Sequence, residues 1–117
     1  LTTERNPDSK LDYVVAINGL ITTSIVKLRY VPDRTILVPS AFGEYLETLG
    51  GIEWQSLEET AAAVLNDVNN ELIARWVQVS ITAPGEFHPG IESHEVLLED
   101  RQPNWDNEGL LSRLKRH

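Results

Sequence analysis

The sequence predicts an α+β domain with the element order β-β-α-α-β-β. Three observations carry this. Two runs of alternating, β-branched residues precede Pro32, two segments of helical period lie between Pro39 and Leu72, and two more alternating runs follow Arg75. A residue period near two marks a strand with one buried face, and a period near 3.6 marks an amphipathic helix.

In the first run Leu11, Tyr13, Val15 and Ile17 fall on one side, with Asp12, Ala16 and Asn18 on the other. Asn18-Gly19 is a turn signal, although Leu20-Ile21 after it lets the strand continue through a bulge. The second run, Thr23 to Tyr30, sets Ile25, Lys27 and Arg29 opposite Val26, Leu28 and Tyr30, and is close enough to the first for an antiparallel hairpin. Val31-Pro32-Asp33-Arg34 reads as a turn, and Thr35 to Val38 as a short extension.

From Pro39 the period becomes helical. Phe42, Leu46 and Leu49 recur at spacings of four and three, and Gly50-Gly51 stops the helix. The second helix opens on Ser56-Leu57-Glu58-Glu59, a capping box in which the Ser56 hydroxyl accepts from the N3 amide. Leu57, Ala61, Val64, Leu65, Val68 and Leu72 form its apolar stripe. Trp76 to Ala83 alternates again and buries Val77, Val79 and Ile81. Pro84-Gly85 and Pro89-Gly90 bracket a loop holding Glu86, Phe87 and His88, and Ser93 to Glu99 is the last strand. A short helix is expected around residues 109–115, with residues 1–9 a polar N-terminal arm and 100–117 a C-terminal extension of a single domain.

A chain of 117 residues, 41% hydrophobic and 24% charged, has the size and composition of one self-sufficient domain. With no cysteine, it can form no disulfide, thiolate metal site or thiol nucleophile. A net charge of −8 opposes long-range attraction to nucleic acid, and the terminal Arg113, Lys115 and Arg116 are too few to reverse it. No apolar stretch reaches the length of a membrane span, and the polar N-terminus has no signal-peptide core, so a cytoplasmic location is the expectation.

Several short matches in order link residues 6–83 to a known family. They are Asn6-Pro7, Asp12-Tyr13 running toward Ile17, Ile25 to Tyr30 with Pro32-Asp33, Ser40 with Tyr45-Leu46, and Val64-Leu65-Asn66-Asp67-Val68 followed by Arg75-Trp76-Val77-Gln78-Val79. This pattern resembles the 7-cyano-7-deazaguanine (preQ0) reductases of queuosine biosynthesis, members of the tunnelling-fold (T-fold) superfamily. The resemblance implies a four-stranded antiparallel sheet with two helices on one face. It also implies homo-oligomers whose subunits close into barrels, and a purine- or pterin-like ligand bound between subunits. In those enzymes the loop between the first two strands carries a nucleophilic cysteine and an aspartate. Here Ile21-Thr22-Thr23-Ser24 passes directly between strands. The positions that hold substrate- and cofactor-binding residues at the start of the family's signature helix are Leu37, Val38, Pro39 and Ala41, so no cofactor is expected. Without a thiol to attack the nitrile carbon, nitrile reduction is not expected.

The resemblance implies that Glu58, with Glu59 beside it, receives the amidine edge of a heterocycle, a task suited to a carboxylate that accepts two parallel hydrogen bonds. The plain alternative is that both carboxylates complement the helix N-terminus. Ser40, in the signature-helix position, and His94, which alternates with Val96 and Leu98, complete the ligand-binding candidates. His88 and His94 with Glu86 and Glu92 sketch a metal site, but their spacing fixes no ligands on one rigid face. No serine-hydrolase, P-loop or dinucleotide motif occurs. Trp105 and Arg101, in the polar segment 99–107, either pack back on the sheet or contact a neighbouring subunit. An assembly protein with no small-molecule ligand is the alternative to the heterocycle-binding reading.

Overall fold

The computed structural model describes residues 1–85 and 88–114. Its elements are β1 (Thr3–Arg5), β2 (Val15–Ile21), β3 (Ser24–Val31), β4 (Thr35–Leu37), α1 (Pro39–Leu49), α2 (Leu57–Leu72), β5 (Trp76–Pro84), β6 (Ser93–Arg101) and α3 (Glu108–Leu111). The chain is α+β. Its main sheet is four-stranded and antiparallel in the order β2-β3-β5-β6, and β1 and β4 form a separate two-stranded sheet.

Register follows from burial. Val26, Leu28 and Tyr30 of β3 lie beside Ile81, Val79 and Val77 of β5 respectively, on the face covered by α1 and α2, where Phe42, Leu46, Ala61, Val64 and Val68 close the core. Slipping either strand by one residue would turn these side chains to the opposite face, so burial fixes the pairing. Helix α1 lies over β2, and α2 lies over β5 and β6.

The hairpin departs from the sequence expectation in two ways. Strand β2 begins at Val15 rather than near Leu11, which is 56% exposed and lies outside the ladder. The chain does not turn or bulge at Asn18-Gly19. Pairing runs evenly from Val15↔Tyr30 to Ile21↔Ser24, and Thr22-Thr23 make the turn. Gly19 serves a different purpose: a Cβ there would lie 2.5 Å from Leu46 Cδ1, so the bare backbone lets α1 settle onto β2. Thr22 carries the cost of the turn, holding a β-branched residue at φ 53°.

The N-terminal arm is also not a free arm. Thr3–Arg5 pairs with Thr35–Leu37, and the buried Asn6 locks the crossing. Its Nδ2 donates to Asp33 O at 2.7 Å, and its Oδ1 accepts from Tyr13 Oη at 2.6 Å. Inside the core, the buried Tyr30 hydroxyl accepts from Leu37 N at 2.9 Å and ties β4 to β3. Burial pushes the Tyr30 phenol above its ordinary value.

Arg75, between α2 and β5, is the second lock. Its side chain, 16% exposed, donates to Asp12 Oδ1 at 3.0 Å, to Leu11 O at 3.1 Å, to Ser9 O, and to Asp33 Oδ1 at 3.4 Å. Two of these bonds engage the carbonyls of Ser9 and Leu11, in the stretch that lies outside the β2 ladder. Asp12 Oδ2 also accepts from Trp105 Nε1 at 3.2 Å and Asn107 Nδ2 at 3.0 Å. Burial alone would raise the Asp12 carboxyl; the bonds from Asn107, Trp105 and Arg75 outweigh it and hold the group below its ordinary value. The C-terminal helix is shorter than expected, with Asn107 Oδ1 capping Leu110 N. Glu86, Phe87, Lys115 and Arg116 lie outside the described residues.

Candidate functional site

A cavity of about 530 Å³ opens where four segments converge. The connection between the helices contributes Ile52, Trp54 and Gln55, and the first turn of α2 contributes Ser56, Leu57 and Thr60. The hairpin turn supplies Ile21, Thr22 and Ser24. The end of β5 and the start of β6 supply Ile81, Pro84, His88, Ile91 and His94. Several hundred Å³ is the range of small-molecule sites.

Each wall has a local cause. Ser56 sits in extended geometry and its Oγ accepts from Glu59 N at 3.1 Å, so α2 starts where the capping box predicts and Glu58 lies in its first turn. On β6, His94 shares a face with Val96 and Leu98, the face that meets α2. The two meet. His94 Nε2 lies 3.0 Å from Glu58 Oε1, with the side chains 45% and 62% exposed; His94 lines the cavity and Glu58 stands just outside its lining. The β5–β6 connection is shaped by Gly85, whose N donates to Glu92 O at 2.8 Å. A Cβ on Gly85 would fall 1.8 Å from Ile91 O and 2.2 Å from Glu92 O, so only glycine fits that approach. Trp54 is half-buried, and its indole Nε1 donates to Leu49 O at 3.1 Å at the end of α1. Ile52 and Ile91, each 48% exposed, leave apolar surface open at the cavity.

No protein-family model and no curated protein sequence matches the chain.

Of the residues singled out from sequence, the structure brings together Glu58 and His94, from elements 36 positions apart. Glu59 is exposed and points about 100° around the helix from Glu58. Ser40 is not part of this site. It is exposed in the first turn of α1, whose far end borders the cavity, so roughly 14 Å of helix separates it from that end. Trp105 and Arg101 are also elsewhere: Trp105 is bonded to Asp12 of its own chain, and Arg101 pairs with Glu99 at 3.5 Å and Asp106 at 3.4 Å. His88 and His94 line one cavity, yet no group of three or more metal-ligating side chains occurs among the described residues. Sequence reading missed Trp54, Ile52 and Ile91. The available signal was a pair of large apolar residues in a short connection between Gly51 and Ser56, where no periodic core face demanded them.

The lining presents two imidazoles, an indole and an apolar wall, and the Glu58 carboxylate stands beside it on His94. Its lining contains no lysine or arginine among the described residues. Among those residues, no helix is long and apolar enough to cross a membrane.

Proposed function

We propose that this chain is an oligomeric T-fold protein related to the 7-cyano-7-deazaguanine reductases, and that it binds a purine- or pterin-like heterocycle in the cavity beside Glu58. The observation that carries this reading is the Glu58–His94 contact, because His94 lines the cavity and holds beside it a carboxylate, the group suited to the paired N–H donors of an amidine edge. His94, which lines the cavity, orients the carboxylate. The antiparallel four-stranded sheet and the order of its elements support the fold assignment.

Nitrile reduction is not part of the proposal. The sequence has no cysteine, and the hairpin turn occupies only Thr22 and Thr23, leaving no loop to carry a nucleophile. An oligomer is supported by the sheet itself. Strands β2 and β6 each have one unpaired edge, and β2 carries no charged residue or proline to discourage pairing. On the face away from the helices, Leu20, Ile25 and Leu97 are 58%, 46% and 41% exposed.

Thermal-shift measurements with 7-deazaguanine, guanine and pterin test the reading, with Glu58→Gln as the control. The wild type should be stabilised by at least one of these and the variant should not. No shift with any of them would instead favour an assembly protein without a ligand.

A further inference from the structure

Resting on the heterocycle reading above, we infer that Trp54 is the surface on which the ligand stacks, and that the ligand enters without a phosphate, as a free base or nucleoside. The indole N–H of Trp54 is already spent on Leu49 O at 3.1 Å, which ties the ring to the end of α1. What the side chain can still offer a ligand is its π system, and a flat heterocycle is the partner that uses it. Ile52 and Ile91 line the same cavity and are both half exposed.

Charge selects within the flat ligands. A helix N-terminus ordinarily attracts phosphate through its free amides and dipole. Here the first turn of α2 already holds two carboxylates, Glu58 and Glu59, and the Glu59 amide is satisfied by Ser56 Oγ. The described lining supplies no lysine or arginine to offset a second anion, and the chain as a whole carries −8. A phosphate beside this turn would face like charge, and the imidazoles of His88 and His94 are the only groups of the described lining that can carry a positive charge, one of them already on Glu58. A neutral heterocycle with an N–H edge meets an acceptor instead.

Titration calorimetry near neutral pH with pterin, guanosine and guanosine 5′-monophosphate tests this in the wild type, Trp54→Phe, Trp54→Leu and Gln55→Lys. At least one phosphate-free probe should bind, and the monophosphate should bind about tenfold or more weakly than guanosine. Trp54→Phe should keep most of the affinity, while Trp54→Leu loses roughly 5- to 150-fold, the range of one base–aromatic stack. Gln55→Lys, an exposed cavity position, should raise monophosphate affinity relative to guanosine. Equal binding of guanosine and its monophosphate would overturn the phosphate-free assignment and leave the heterocycle reading standing. A folded Trp54→Leu with wild-type affinity would overturn the stacking role; if that variant does not fold, an affinity loss in Trp54→Phe as large as a whole stack would do so. Absence of binding by all probes would overturn the heterocycle reading and this inference together.

Discussion

Replacing Arg75 by methionine should be among the most damaging single changes in this chain. Methionine keeps the apolar stem and the backbone bonds of residue 75, to Val31 O at 2.9 Å and from Gln102 N at 3.0 Å. It removes the guanidinium that joins Asp12, Leu11 O, Ser9 O and Asp33. Hydrogen bonds involving a charged group contribute about 1.5–3 kcal/mol each, and breaking a fully buried ion pair costs about 3–5 kcal/mol. The Arg75 and Asp12 side chains are 16% and 26% exposed, so solvent recovers part of that cost and a net loss of about 2–3 kcal/mol is expected. Against a total stability of about 5–15 kcal/mol this is severe. In urea denaturation, with m near 2 kcal/mol/M, the midpoint should fall by about 1–1.5 M with m unchanged. Asp12→Asn should be partly non-additive with it, because both changes cut the same bond. A midpoint equal to that of the wild type, or strict additivity in the double mutant, would refute the hub role given to Arg75.

Three further outcomes follow from particular residues. Gly85→Ala should destabilise the fold by more than about 2 kcal/mol and reshape the cavity wall, because its Cβ meets backbone oxygens that cannot swing aside; urea unfolding and ligand titration check it. Ile73→Gly should stabilise: Ile73 ends α2 at φ 46° with 66% exposure, so relieving about 1–2 kcal/mol of left-handed strain outweighs the extra freedom of glycine by about 0.5–1 kcal/mol, seen as a raised midpoint. Asp12 has a folded-state pKa below its ordinary 3.8, so its contribution is complete above that value and disappears as pH falls through the lower folded value. The stability gap between wild type and Asp12→Asn should therefore be constant near neutrality and narrow below about pH 4.

The parts of the fold that could be read from sequence were those where one local rule acted alone. Ser56 caps α2 as its capping box requires, and the stripe from Ala61 to Leu72 packs where its period places it. The hairpin was misread because a local turn signal competed with a longer-range demand. Turning at Asn18-Gly19 would have cut short a seven-residue ladder that buries Ile21 and seats Leu46 over Gly19, and that packing outweighed the strain at Thr22. Strand β1 carried no signal in Thr3-Glu4-Arg5 itself, since its position depends on Asn6 meeting Asp33 and Tyr13 across the chain. The candidate site divided in the same way. Glu58 came from a resemblance and a capping motif, whereas its pairing with His94 depends on the register that brings β6 beside α2, and the walls formed by Trp54 and Ile91 depend on how the α1–α2 and β5–β6 connections fold.

The decisive measurement is a crystal structure of the protein soaked with 7-deazaguanine or pterin. The heterocycle should lie in the cavity between α2 and the β5–β6 connection, with two of its nitrogens within hydrogen-bond reach of the Glu58 carboxylate. Clear density for the compound at some other place, with Glu58 engaged only by His94, would contradict the account.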